Sequence, residues 1–266
     1  MKILSFDVGG TKIAYALVNS QGKLLSRVTT VSTPKTSSEI TKVFQKAIAE
    51  NEFDGFALAT AGVVCNGQIL FKPNNLPQGY NCIKFEQILN VPYIIENDAN
   101  SAAWAEYQNG ITKNTKHSVV LTLGTGVGCG IISEGILLRG KKGAVGEVPF
   151  SLGGCDLVNY AKEAGLNEKD CYEIYDLALK NNKKAQSAYS KWEEDLISAI
   201  VIINSLLDTE IIALSGSLAK IVNYSKVEQE VNKRMPRNKV KIKPAKYKNH
   251  AGIIGAALLL SAQEEK

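Results

Sequence analysis

Residues 6–18 read FDVGGTKIAYALV. Two short apolar runs, 3–7 and 13–18, flank the GGTK turn, so the stretch predicts a strand, a tight reversal and a second strand. Asp7 ends the first strand. Gly9 and Gly10 let the chain turn with no Cβ in the way. The amides of such a turn, with the Thr11 hydroxyl, can point at one anion, and Lys12 adds positive charge beside it. A P-loop needs a helix after its glycines. Here a strand follows, so this chain is built on a different plan.

The same device recurs further on. A strand predicted at 118–123 runs into GTGVGCG at 124–130, and a second strand at 129–133 leads to a turn at Glu134-Gly135. The glycines fall at every second place, which misses the dinucleotide spacing G-x-G-x-x-G. GILLRGKK at 135–142 approaches a P-loop, but Lys142 stands where the hydroxyl residue belongs, so that match is discarded. One such turn alone is as readily an ordinary hairpin. Two, each after a strand and each carrying a threonine, favour a bipartite phosphate clamp. LSGSLAK at 214–220 is a third small-residue turn, where an adenine or ribose can approach the backbone. Gly-Ser turns are common, so by itself it says little.

Between these turns the pattern is mixed α/β. A third strand is expected over 23–31. Thr36 and Glu39 form a capping box, and Ile40, Val43, Phe44, Ala47 and Ile48 follow at helical spacing, so 37–50 reads as an amphipathic helix. Buried strands are expected at 56–60 and 92–96, and SAAWAEYQN at 101–109 opens an alanine-rich helix. After Gly154 helices dominate, at about 156–164, 168–181 and 185–207. A strand at 210–214, a helix at 224–234, an edge strand at 239–243 and a last helix at 251–263 complete the chain.

VPYIIENDANSAAWAE runs from a strand into a helix, with Asp98 at the junction. Aspartate is a favoured helix cap, and a structural N-cap is the simpler reading. The other reading is a general base that activates a hydroxyl. Asn97 beside it can hydrogen-bond neighbouring hydroxyls. KPNNLPQGYN at 72–81 offers Asn74 and Asn75 in a Pro-bounded loop, where asparagine forms turns and also suits a polyhydroxylated ligand.

The 266 residues suffice for one large domain or two lobes. With 45% apolar and 21% charged residues the composition is that of a globular protein, and a net charge of +5 is weak evidence for nucleic acid. The five cysteines, Cys65, Cys82, Cys129, Cys155 and Cys171, are scattered without a C-x-x-C pair, and only His117 and His250 accompany them. This argues for reduced thiols in a cytoplasmic protein and against a metal held mainly by protein ligands. AGIIGAALLL at 251–260 is about half the ~20 residues of a membrane span, and the N-terminus lacks a signal-peptide apolar core. Lys239, Lys241 and Lys243 alternate with Val240 and Ile242, the pattern of a protected edge strand rather than a nucleic-acid surface. Trp104 and Trp192 lie within helical runs and read as core or interface residues.

Taken in order, these segments resemble the ROK family of sugar kinases and related repressors, within the actin-like ATPase fold, a two-lobed ribonuclease H-like α/β architecture with mixed sheets. DVGGTK at 7–12 is similar to the family's first phosphate motif and LTLGTGVGCGII at 121–132 to its second. TAGVV at 60–64 and PNNL at 73–76 resemble its sugar-side loops, and ENDAN at 96–100 with AAWAE at 102–106 its catalytic segment. LSGSLA at 214–219 stands where nucleoside-binding glycines occur, Gly216 among them, and HAGIIGAALL at 250–259 resembles the returning C-terminal helix. The resemblance implies ATP-dependent phosphorylation of a hexose or N-acetylhexosamine, with Mg2+. Asp98 takes the place of the catalytic base. Asn97, Glu147 and an asparagine of 74–75, taken as Asn75, fall at sugar-contacting positions. Asp7, Gly10, Thr11, Lys12, Gly124, Thr125 and Gly126 frame the phosphates and the metal. It implies an N-terminal lobe of residues 1–106, completed by a helix at 251–264, and a C-terminal lobe of 107–250, with a homodimer plausible. The repressors' added DNA-binding domain has no room here.

One stretch departs from the family. GEVPFSLGGC at 146–155 keeps Glu147, but Phe150 stands for a histidine, Pro149 for a glycine, and Cys155, with no thiol near it in sequence, is what remains of a zinc-binding cysteine cluster. No structural zinc is expected. Asp156 lies one position out of register with a later family glutamate and is read first as an N-cap. A chain whose pocket rim has changed admits a rival reading, a non-catalytic sugar or nucleotide sensor on the kinase scaffold.

Overall fold

The computed structural model describes residues 1–167 and 170–264. The opening hairpin forms as expected: β1 (Lys2–Val8) pairs antiparallel with β2 (Lys12–Asn19), Val8 opposite Ile13. β3 (Thr29–Ser32) adds to β2, but the strand expected over 23–31 is cut to its last part. Ahead of it the Ser26 hydroxyl accepts the Leu17 N–H at 2.9 Å, so a side chain takes a ladder partner, and only an isolated bridge joins Leu24 to Val18. α1 (Ser37–Glu50) starts at its box: Thr36 Oγ1 accepts from Glu39 N at 3.3 Å and donates to the Glu39 carboxylate at 2.8 Å. Ile40, Phe44 and Ala47 form its buried face.

β4 (Gly55–Thr60) lies parallel to β1 and is buried throughout. A small hairpin, β5 (Val63–Cys65) and β6 (Gln68–Phe71), stands apart, and β7 (Tyr93–Asn97) pairs parallel with β4. The first sheet thus has the order β3-β2-β1-β4-β7. Its outer face packs with α1 around Phe6, Phe44, Phe56 and Phe85, whose rings meet at 5.0–6.1 Å.

The chain continues through α2 (Asp98–Asn109), β8 (Ser118–Leu123), β9 (Val127–Ser133), β10 (Ile136–Leu137), α3 (Gly154–Glu163) and α4 (Cys171–Leu179). It ends with α5 (Lys183–Leu207), β11 (Ile211–Ser215), α6 (Tyr224–Arg234), β12 (Lys241–Pro244) and α7 (Ala251–Glu264). Part of the helix expected over 168–181, residues 168 and 169, lies outside the described residues. The second sheet has the order β10-β9-β8-β11-β12. Its strand senses repeat the first: two antiparallel steps on one side of the central strand, two parallel steps on the other. The faint sequence echo between the two glycine turns is a duplicated sheet. At the far edge, β12 buries Ile242 and exposes Lys241 and Lys243.

Two helices join the halves. α7 is buried from Ala251 to Ser261 because β4, β1 and β2 cover one side and α2 the other. α2 in turn packs across β9 and β8. Glycines permit the approach: a Cβ on Gly255 would strike the Ser101 carbonyl, and one on Gly130 the Ala99 carbonyl. Among the described residues no helix is long and apolar enough to cross a membrane.

Candidate functional site

Asp98 is not the cap of its helix. Asn97 is, accepting the N–H groups of Ala99 and Asn100 at 2.9 and 3.0 Å. Asp98 is the first helical residue, and one of its oxygens accepts the Ala99 N–H at 2.9 Å. Two adjacent residues, a carboxamide and a carboxylate, can each cap the helix. The asparagine wins because its amide nitrogen also donates to Gly62 O at 2.9 Å, locking the loop at 60–64 to the junction. Gly62 sits at φ 107°, a conformation glycine favours, with Phe71 O where a Cβ would be.

A residue that the sequence reading passed over fixes this junction from beneath. Glu96 is 3% exposed, accepts from Asn97 N and Asn100 Nδ2 at 2.9 and 3.0 Å, and pairs with Arg139 Nε at 2.6 Å. Arg139 belongs to the discarded GILLRGKK stretch. A buried glutamate two places before a candidate base is the signal that was available; its partner, far along the chain, was not.

Around Asp98 the structure gathers acids. Burial raises its pKa, and the Glu147 carboxylate raises it further, while the Ala99 N–H opposes the rise. Asp7, at the end of β1, is pushed up to about 7 by burial and by the charge of Asp98, with Lys12 pulling the other way. Asp7, Asp98 and Glu147 therefore share one electrostatic neighbourhood although the chain separates them widely. Beneath them the Tyr80 hydroxyl lies 2.8 Å from Thr60 Oγ1, and burial together with Asp7 and Asp98 drives its pKa above the usual tyrosine range. Neither Tyr80 nor Thr60 was singled out from sequence.

The first glycine turn follows Asp7 directly, and the strand leaving the second brings Gly128 against Ala99, the neighbour of Asp98. In the first, Gly9 N donates to Lys12 O at 3.0 Å, Thr33 Oγ1 donates to Gly9 O at 2.6 Å, and Thr11 is exposed at the tip. Asn75 packs directly on Gly10, in the space any side chain there would need, so the first glycine turn and the loop at 73–76 touch. Gly252, at the start of α7, closes on the Asp7 carboxylate in the same way. In the second turn, Gly124 N donates to Gly126 O at 3.0 Å, and Thr125 and Gly126 are exposed. Gly216, at φ 88°, is pressed against Leu123, which sets the third turn beside the second. The Tyr172 hydroxyl donates to Ser217 O at 2.8 Å from α4.

The stretch 146–155 behaves as two pieces. Gly146, at φ 92°, folds onto Cys129 O and presents Glu147 at the surface, while Phe150 packs into the second core. Gly154 N donates to Gly124 O at 2.9 Å, so the start of α3 buttresses the second glycine turn. Asp156 is the third residue of α3 rather than its N-cap: its carboxylate reaches back to Gly153 N at 2.8 Å. Cys155 has no thiol near it in sequence, but in the fold its neighbour Gly154 lies against the Cys171 sulfur, 3.7 Å from where a Gly154 side chain would begin. A cavity of about 1000 Å³ opens on the opposite side of the β7–α2 junction, with Glu96, Trp104 and Arg139 on its wall. Its lining contains none of Asp7, Asp98 or the three glycine turns.

Among the described residues no group of three or more His, Cys, Asp or Glu is placed to hold a metal. The donor set fits a hard cation of another kind. A single aspartate, Asp7, beside the glycine turn at 9–10 is the kind of protein ligand that Mg2+ takes, since that ion binds through one or two carboxylates and substrate phosphates.

Comparison with known proteins gives the arrangement its context. N-acetylmannosamine kinase of Shigella flexneri is 29% identical, aligned over all of both chains. The crystal structure of a ROK family glucokinase from Streptomyces griseus, in complex with glucose and AMPPNP, is 26% identical over 97% of this chain and 99% of that one, with a TM-score of 0.80. A ROK hexokinase from Thermus thermophilus, 24% identical over 100% of this chain and 99% of its own, has a TM-score of 0.84 and supports the fold alone. The duplicated mixed sheets are those of the two-lobed actin-like ATPase fold. The profile of the ROK family matches residues 3–150 and 153–263, and with nearly its whole length so matched, the chain belongs to the ROK family.

Proposed function

We propose that the protein transfers the terminal phosphoryl group of ATP to a hydroxyl of a sugar, a hexose or an N-acetylhexosamine. The observation that carries this reading is the position of Asp98. Asn97 has taken over the capping, so the Asp98 carboxylate is not the group that holds the start of the helix, and it lies in electrostatic reach of both Asp7 and Glu147. A carboxylate with a raised pKa is a better base near neutral pH than an ordinary surface aspartate.

In this reading Asp98 accepts the proton of the attacking hydroxyl. Asn75 and Glu147 hold other hydroxyls of the ring. Asn97 has one amide N–H left for a ligand after its bonds to the helix and to Gly62. The turns at Gly10-Thr11 and Gly124-Thr125-Gly126, with Lys12, cradle the phosphates, and Gly216 lets the nucleoside approach the backbone. Asp7 would hold Mg2+ together with phosphate oxygens, and the metal supplies neutralisation of charge on the transferring group. The cleft lies between an N-terminal lobe of 1–106 closed by helix 251–264 and a C-terminal lobe of 107–250. Closure of the lobes excludes water from the reaction.

The test is a coupled ADP-release assay with ATP, Mg2+ and a panel of hexoses and N-acetylhexosamines, N-acetylmannosamine and glucose first among them. Saturable turnover with at least one sugar is expected. Sugar- or nucleotide-dependent thermal shifts without turnover across the panel would replace this reading with that of a sensor.

A further inference from the structure

Cys155 is the second residue of α3 and is exposed; Cys171 is the first residue of α4 and part-buried. The fold brings the starts of these two helices together. Cys171 Sγ lies 3.7 Å from the point where a side chain on Gly154 would begin, and Gly154 is the residue before Cys155. Both cysteines are free thiols. Burial holds the Cys171 pKa above the ordinary thiol value, with Asp170 and Cys155 adding to the rise.

Each thiol is one residue from a contact that supports a glycine turn. Gly154 N donates to Gly124 O at 2.9 Å, and the Tyr172 hydroxyl donates to Ser217 O at 2.8 Å. A disulfide needs Cα atoms about 4.4–6.8 Å apart and one of two narrow dihedral ranges. Closing it fixes α3 against α4, and the neighbouring contacts to Gly124 and Ser217 must follow.

We propose that Cys155 and Cys171 form a peroxide-sensitive dithiol whose oxidation to a disulfide weakens nucleotide binding at the adjacent turns. The second half of this statement rests on the nucleotide site proposed above; the first does not. The exposed Cys155 sulfur attacks hydrogen peroxide, breaks the O–O bond and becomes a sulfenic acid as one water leaves. Cys171, the more buried thiol, then attacks that sulfur; the S–S bond forms, the S–O bond breaks and a second water leaves. Two thiols are oxidised by two electrons, and one peroxide is reduced to two waters.

The test uses the full reduced chain. It is treated with hydrogen peroxide, remaining thiols are alkylated, and the digest is mapped by mass spectrometry, with AMPPNP affinity measured before and after. A peptide pair joined through Cys155 and Cys171, lighter by two hydrogens and released by dithiothreitol, is expected, with AMPPNP affinity falling several-fold on oxidation and returning on reduction. Cys155→Ser and Cys171→Ser should match the reduced parent in affinity and resist peroxide. No such cross-link, a cross-link that leaves affinity unchanged, or an equal loss in Cys155→Ser would each overturn the proposal. A reduced chain that fails to bind AMPPNP removes the nucleotide half, and with it the kinase reading, while the peptide map still decides the dithiol.

Discussion

Burial and the nearby charge of Asp98 oppose the ionisation of Asp7. The folded chain holds a proton on Asp7 up to about pH 7, whereas an ordinary aspartate releases it near 3.8. Between those values the folded state binds more protons than the unfolded state, so stability falls as pH rises through the window and levels off above it. Asp7→Asn removes that slope. Thermal melts across the window in metal-free buffer should show the parent losing stability with rising pH relative to the variant; parallel curves would remove the argument. Asp98→Asn should lower turnover by ~10²-fold or more while AMPPNP still binds, because general-base catalysis contributes on the order of 10²–10⁴-fold. Unchanged turnover would eliminate Asp98 as the base. Because the base must be ionised to act and its pKa is raised, turnover should also fall toward acid pH above the range of an ordinary aspartate.

At the scale of elements, the β7–α2 junction is held by two side chains just before Asp98, Glu96 and Asn97. Asn97→Ala removes the cap from α2 and the tie to Gly62. Loss of an N-cap costs about 0.5–2 kcal/mol, measurable by urea denaturation, and turnover should drop as Asp98 loses its fixed seat. A variant as stable as the parent would show that the tie to Glu96 alone suffices. The stretch 146–155 is a second junction, where Phe150 packs against the core and Gly154 N–H braces the glycine turn at Gly124. Elemental analysis of the purified protein is therefore expected to find less than one zinc per chain. One tightly held zinc would overturn that reading of the segment.

Over the whole molecule, α2 and α7 form the contact between two like sheets, and their crossing depends on bare backbone at Gly255. Gly255→Val sets a branched side chain against the Ser101 carbonyl. Overpacking typically costs about 1–3 kcal/mol, and here the obstacle is main chain with little freedom to yield. A marked loss in the urea midpoint is expected, together with reduced turnover. An unaltered midpoint would mean that the helices slide freely, contrary to the packing described.

Much of the site was legible because its chemistry is local. Asp7 with Gly9 and Gly10, Thr125 between two glycines, and the strand-to-helix break before Asp98 each announce themselves within a few residues. What stayed hidden was partnership across the chain: Arg139 beneath Glu96, Tyr80 against Thr60, Cys171 beside Cys155. Local preference also left ties open. Asn97 and Asp98 are both good caps, and only the Gly62 carbonyl, delivered by another strand, chose between them.

By itself the sequence determined the order of most strands and helices, though not the β5–β6 hairpin, together with the glycine turns and the acids near them, since periodicity and turn chemistry act over a few residues. The tertiary structure alone decided that the two halves are one sheet plan used twice, and that Asp98 lies within electrostatic reach of Asp7 and Glu147. Register and burial are set by packing between distant segments, and no short window of sequence contains both sides of such a contact.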